Sequence, residues 1–303
     1  MISTHKNKNL TWVDLESPSL EELIEVGKDF EINTTTLNEL LAPSERPKVD
    51  VYNNLMYLIL HFPKYGYGKG KIQSIEIDFI IGKNFLITTH YETLTSMIEF
   101  AKIFETSSTL NKFDLENGGQ IFFYLIKKMY NNIEEELTEI GERLQEIETT
   151  IFGEHGEAAL EGLSRMNKEL IDFRRSMRTH KEVFASLEKN SKDFFGSKFS
   201  SYTNALIGEH EKVWNILESN RETLIDLRQT SDSLFSARTN SVMRTLTVMT
   251  FITIPLSIIA NMFGVNVENL PIVGSEHDFL IVVSLMISSS LIMVLIAKYK
   301  KWI

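Results

Sequence analysis

Asn240, Met243, Thr247, Thr250, Ile254, Ser257, Asn261 and Gly264 recur at steps of three and four residues, the repeat that places side chains along one seam of a helix. Most of them are polar or small, whereas Leu246, Met249, Phe251, Ile252, Leu256, Ile259 and Phe263 between them are apolar. Inside a bilayer such a stripe either packs against other helices through its hydroxyls and amides or lines a water-filled path, and spacing alone weighs the two about evenly. In the second case the chemistry is that of a cation path. The stripe holds no carboxylate, so a bare divalent ion would lack strong ligands. Amide and hydroxyl oxygens hold such an ion through its water shell instead, which suits Mg²⁺ because it dehydrates reluctantly. Met243 and Leu246 supply an apolar constriction at one end that closes by dewetting. One stripe cannot enclose a pore, so a pore requires several copies of the chain about an axis.

The elements that position this stripe are two apolar segments free of charge, from about Leu246 to Phe263 and from Phe279 to Ala297. At about 1.5 Å rise per residue each covers close to the ~30 Å hydrocarbon core of a bilayer, which predicts two membrane-spanning helices. Arg238 and Arg244 precede the first, and Lys298, Lys300 and Lys301 follow the second, while the loop from Val265 to Asp278 has no Lys or Arg. The positive-inside rule then puts both termini in the cytoplasm and the loop outside. Glu268, Glu276 and Asp278 in that loop would concentrate cations at an outer mouth. Met1 to Leu10 is polar, which predicts no secretory signal and a cytoplasmic soluble part.

Upstream, the chain alternates strand and helix signals and then turns wholly helical. Thr11 to Leu15 reads as a strand, Ser17 to Leu23 as a capped helix start, and Asn33 to Pro43 as a second helix. Leu55 to Leu60 reads as a strand, and Ile77 to Ile81 and Phe85 to Thr89 flank Gly82-Lys83-Asn84 as a hairpin. Gln120 to Phe152 carries apolar residues at helical spacing, including Phe123, Ile126, Met129, Ile133, Leu137, Ile140, Leu144 and Ile147. A second long helix is expected from about Glu157 to Leu187, basic in its middle, as the antiparallel partner of the acidic first. A third pattern begins near Ser200 and meets no proline until Pro255. Unbroken to Phe263 it is a helix of about 64 residues, either a lever between soluble part and membrane or a passive stalk.

The net charge of -10 favours cationic partners over nucleic acid. The absence of cysteine removes disulfides, thiolate metal sites and cysteine nucleophiles. The seven histidines show no metal spacing, and neither a phosphate loop nor a nucleophile motif is present, so an enzyme is the weakest reading. His210, between Glu209 and Glu211, is the one mildly suggestive metal position.

Gly264-Val265-Asn266, placed before a short acidic loop, a second span and a Lys-Lys-Trp-Ile ending, resembles the Gly-Met-Asn signature of the CorA family of divalent-cation transport channels. Trp12 to Leu15, Glu45-Arg46-Pro47-Lys48-Val49, Leu58 to Phe62, Glu76 to Phe79, Gly82 to Thr88 and Arg174-Arg175 are similar to family segments in family order. The resemblance implies a homopentamer: a funnel of cytoplasmic α+β (α/β) domains, long helices, a stalk continuous with a pore-lining first span, and an outer ring of second spans. It implies that Asn266 rings the outer mouth, that Gly264 permits the turn presenting it, and that Asn240, Met243, Leu246, Thr247, Thr250, Ile254, Ser257 and Asn261 line the path. Val265 replaces the family's Met, as in relatives that carry Zn²⁺ or other divalents, and Ile272 follows Pro271 where many members have a carboxylate. The family's ion-sensing aspartate falls at Ala205, with Glu209 and Glu211 the nearest acids for a regulatory metal.

The expected divisions are a cytoplasmic α/β domain over 1–115, a helical hairpin over 116–199, a stalk over 200–241, the first span over 242–264, an outside loop over 265–278, the second span over 279–297 and a basic tail over 298–303. The expected function is inward movement of divalent cations, Mg²⁺ first and Co²⁺ or Ni²⁺ beside it, across the plasma membrane, with no cofactor beyond the transported ion. The partners are further copies of the chain, membrane lipid and the cation, and no nucleic acid. Two rivals stand beside it: a proton-coupled Zn²⁺ transporter on the same fold, and a membrane-tethered helical scaffold or sensor without transport.

Overall fold

The computed structural model describes residues 1–44, 47–65, 72–110, 115–153, 156–264 and 277–302. They fall into two compact units, Met1–Arg228 and Gln229–Ile303.

The first unit opens with β1 (Ile2–Asn7), β2 (Leu10–Glu16), α1 (Leu20–Asp29), α2 (Thr34–Glu39), β3 (Val49–Val51), β4 (Leu55–Tyr65), β5 (Ile72–Gly82) and β6 (Phe85–His90). The strands form one sheet in the order β1-β2-β6-β5-β4-β3, with β2 and β6 parallel and the other neighbours antiparallel. The expected hairpin is β5–β6, with Ile80 opposite Ile87. Pro63 is tolerated in β4 because β3 pairs only with Met56, Tyr57 and Leu58, which leaves that edge of β4 open where proline has no amide to offer.

Sequence alternation divides the sheet into two buried faces. Val13, Leu15, Tyr57, Ile59, Ile80 and Ile87 meet Leu23 and Val26 of α1 and Leu37 of α2 on one. On the other, Trp12 meets Phe100 and Phe104 of α3 (Thr95–Leu110), and Phe79 stands edge-on to Phe122 of α4 (Gly118–Ile151). Burying apolar residues on both faces requires three layers, with helices above and below the sheet. Helix starts follow local chemistry. Ser19 and Glu22 close a capping box on α1, Asn33 caps α2 and Asn117 caps α4. Gly118 is required where α4 leaves the sheet, because a Cβ there would lie 2.1 Å from the Phe85 carbonyl oxygen.

β1, within the stretch read above only as polar, is an edge strand whose residues are half-exposed or exposed except at Asn7, so its sequence has little apolar alternation to show. The helix expected from Glu157 to Leu187 is corrected to two: α5 (Gly156–Met177) and α6 (His180–Phe195), separated at Arg178-Thr179. The turn sends His180 fully into the interior, where its ring meets Phe62, Tyr130 and Phe184. α4 and α5 are antiparallel partners as charge predicts, with Arg143 3.1 Å from the buried Glu169.

α7 (Ser200–Gly264) runs for 65 residues with Pro255 inside it. Within the first unit its early turns lie along α4: Asn220 Nδ2 donates to the Leu137 carbonyl at 2.7 Å, and Lys212 pairs with Glu134 at 2.6 Å. The second unit contains the remainder of α7 and α8 (Asp278–Tyr299). Each is long and apolar enough to cross a membrane.

Candidate cation pathway

In the second unit α7 has a partly covered face and an open one. Val248 is 7% exposed, and Phe251, Ile252, Pro255, Leu256, Ile259 and Phe263 are partly covered. On α8, Val282, Val283, Met286, Ser289, Ser290, Met293 and Ala297 make the corresponding covered stripe. Both sets recur at helical spacing, so the two helices shield one face of each other. The contact is closed at one end by Trp302, edge-on to Phe251 with ring centroids 5.7 Å apart.

Asn240, Met243, Leu246, Thr247, Thr250, Ile254, Ser257, Asn261 and Gly264 are all exposed, with Met243 at 55% and Leu246 at 57%. Val242, Met249, Ile258 and Met262, which lie outside the stripe, are open as well, so the spacing-derived stripe shares the open side of α7 with apolar residues. Its hydroxyls are committed in a consistent direction. Thr247 donates to the Met243 carbonyl at 2.7 Å, Thr250 to Leu246 at 2.8 Å, and Ser257 to Thr253 at 3.0 Å. A hydroxyl whose proton is used on the preceding turn presents only acceptor lone pairs outward.

Val265, Asn266, Glu268 and Glu276 lie outside the described residues. Asp278 is the first residue of α8, and its Oδ1 accepts from the Phe279 amide at 2.7 Å. A carboxylate there complements the positive end of the helix dipole.

At the other end of the pair, α8 stops in a Schellman motif. The Trp302 amide donates to the Ala297 carbonyl at 2.9 Å and the Lys301 amide to Lys298 at 3.1 Å, with Lys301 at φ 57 in the left-handed region. The turn folds the tail back so that Lys300, Lys301 and Trp302 line a cavity of about 370 Å³ with Arg244, Thr247 and Val248.

The acids proposed for a regulatory metal do not converge. Glu209 lies 3.5 Å from Lys127 and Glu211 3.0 Å from Lys181. His210 turns inward instead, its Nδ1 3.3 Å from the Tyr130 hydroxyl, and burial, followed by the charge of Lys181, pulls its pKa down. Among the described residues no cluster of three His, Cys, Asp or Glu could hold a metal ion. The His180–Tyr130–His210 cluster was not visible in the sequence, because its members lie 50 and 80 residues apart.

Comparison with known proteins agrees over the length of the chain. The cobalt/magnesium transport protein CorA of Thermotoga maritima is 21% identical over 97% of this chain and 83% of its own. The cobalt/magnesium transport protein CorA of Methanocaldococcus jannaschii is 22% identical over 97% of this chain and 92% of its own. The complete structure of the CorA magnesium transporter from that organism superposes with a TM-score of 0.86, at 20% identity, over 100% of this chain and 98% of that one. Residues 7–301 match the family described as CorA-like Mg²⁺ transporter protein. With its mixed α/β unit, long helices and two apolar C-terminal helices, the chain belongs to the CorA family of divalent-cation transport proteins, a family of channels and transporters and not of enzymes.

Proposed function

We propose that the chain assembles as a homopentamer in the plasma membrane and passes hydrated divalent cations, Mg²⁺ foremost, into the cytoplasm through a pore lined by the stripe of α7. The observation that carries this reading is the set of hydroxyls on the open side of α7, at Thr247, Thr250 and Ser257, each donating to the preceding turn. A hydrated cation turns the hydrogens of its waters outward, so its ideal wall is made of acceptors. Thr247, Thr250 and Ser257 are acceptors by construction, because their protons are held by backbone carbonyls. Each copy contributes one such face, and five close a ring.

In this reading the first span, 242–264, faces the pore with its stripe, 279–297 form the outer ring of helices, and the segments over 1–115, 116–199 and 200–241 are cytoplasmic. Both termini are inside, as the arginines and lysines at the ends of the spans favour. Gly264, Val265 and Asn266 form the outer mouth, and Glu268, Glu276 and Asp278 gather cations before it. Met243 and Leu246 make the inner apolar constriction. Inward movement needs no fuel, since two charges crossing ~100 mV release about 4.6 kcal/mol. Among the stripe residues none titrates near neutrality, which favours a passive channel over the proton-coupled Zn²⁺ transporter. A regulatory cation at Glu209 and Glu211 would have to displace Lys127 and Lys181.

The test is uptake of Mg²⁺, Co²⁺, Ni²⁺ and Zn²⁺ into liposomes at a set potential, with and without a pH gradient. Asn266→Ala should abolish uptake while the oligomer persists. Unchanged uptake in that variant would sink the channel reading, and uptake that requires the pH gradient would favour the proton-coupled one.

A further inference from the structure

The cavity at the end of the apolar helix pair has three cationic side chains, Arg244, Lys300 and Lys301, and no acid among its described lining residues. None of the three takes part in an ion pair among the described residues. Clustering unpaired cations is unfavourable unless something anionic offsets their repulsion. The cavity is also held open by a backbone choice that costs energy. Lys301 occupies the left-handed region at φ 57, where glycine is usual and a residue with a Cβ is disfavoured by about 1 kcal/mol. That turn carries Lys301 and Trp302 back toward α7, and Trp302 is fixed there against Phe251. One wall is apolar, from Val248 and the Trp302 ring, and the other is cationic.

We propose that this cavity binds the phosphate of an anionic phospholipid, with Arg244, Lys300 and Lys301 on the headgroup oxygens and Val248 and Trp302 against the start of the acyl chains. The proposal rests on the reading that these helices span the membrane, since only then does the cavity lie at the depth of the headgroups. There a basic pocket beside an aromatic ring meets a phosphate above and hydrocarbon below. Arginine supplies a planar fork for phosphate oxygens and the lysines supply point charges. A volume of about 370 Å³ admits a headgroup and its first methylenes and not a whole lipid. Inorganic phosphate shares the recognising chemistry, but it leaves the apolar wall unused.

The experiment uses the full chain in vesicles in which one lipid has brominated acyl chains, with Trp302→Phe giving the background from Trp12 and Trp214. Brominated phosphatidylglycerol should quench Trp302 at least twofold more than brominated phosphatidylcholine at the same mole fraction. Arg244→Ala should reduce the preference, and so should Lys301→Gly, which removes a charge while relaxing the strained turn. Survival of the preference in Lys301→Gly combined with Arg244→Ala and Lys300→Ala would overturn the site, as would equal quenching by the two lipids. Abolition of the preference by millimolar inorganic phosphate would also overturn it, in favour of a free-phosphate site. No quenching by either lipid would instead overturn the membrane placement on which the site depends.

Discussion

The Tyr130 hydroxyl lies 2.6 Å from Nδ1 of His180, and the direction of that hydrogen bond is fixed from the far side of the ring. His180 Nε2 is 2.8 Å from the His61 carbonyl oxygen, which can only accept, so Nε2 holds the proton. Burial pulls the His180 pKa down to about 3, with a smaller opposing contribution from that backbone bond. The ring is therefore neutral, Nδ1 accepts, and Tyr130 donates. The tyrosine oxygen is left to accept from His210 Nδ1 at 3.3 Å. A single directed chain thus joins α7, α4, α6 and β4.

Tyr130→Phe leaves two buried ring nitrogens without their partner while changing little volume. The expected loss is about 1–3 kcal/mol of stability, read from denaturant unfolding followed by circular dichroism. A loss below a few tenths would show that the chain of bonds contributes nothing.

Two histidines should give pH dependences of opposite sign. The folded His180 pKa lies below its ordinary 6.5, so its stabilisation is full above about 6.5 and falls as the pH drops toward about 3. At His90 burial lowers the pKa, but the hydrogen bond and charge of Asp14 outweigh it and the net shift is upward. Its stabilisation is full below about 6.5 and is lost as the pH rises through the raised value. Melting temperature against pH should lose its acid slope in His180→Gln and its slope above neutrality in Asp14→Asn.

Gly118→Ala places a methyl carbon 2.1 Å from the Phe85 carbonyl oxygen and 2.4 Å from that of Gly82. Both obstacles are backbone, so α4 must shift, and we expect destabilisation of about 1–3 kcal/mol. Thermal unfolding decides it. Gly208→Ala, where a Cβ meets nothing within 4 Å, should be neutral or stabilising.

Met243→Ser together with Leu246→Ser should raise resting Mg²⁺ flux several-fold, because a polar constriction stays wet. Thr250→Val should lower flux, since it replaces an outward acceptor with a methyl group on the open face. Stopped-flow uptake with an Mg²⁺-sensitive dye measures both, and a resting flux that falls in the double variant would contradict the constriction.

Lys127→Ala with Lys181→Ala frees Glu209 and Glu211 from their present partners. If those acids hold a regulatory cation, the midpoint of Mg²⁺ binding read by titration calorimetry should fall about tenfold. An unchanged midpoint would remove them from regulation.

The sequence was legible where one repeat governs a long element. The buried face of α4, from Ile126 through Leu144, follows directly from steps of three and four. At Glu209-His210-Glu211 the sequence shows neither the lysine partners of the two acids nor the inward turn of the histidine, because Lys127, Lys181 and Tyr130 are brought there by other helices. It was silent at Arg178-Thr179, where neither glycine nor proline marks the break. What accompanies that turn is tertiary: just past it His180 is fully buried against Phe62, Tyr130 and Phe184. The tail was read as a run of charge, and only the Schellman turn at Lys301 shows that the charges are gathered with Trp302 into one cavity.

The bonds from Thr247, Thr250 and Ser257 to the preceding turn have one more consequence. In the proposed pore these three hydroxyls offer a chloride ion no proton, so an anion meets acceptors at each of them. If that wall excludes counter-ions from the proposed pore, each ion carries its full double charge, and the flux should be an electrical current whose reversal potential follows the Mg²⁺ gradient and ignores the chloride gradient.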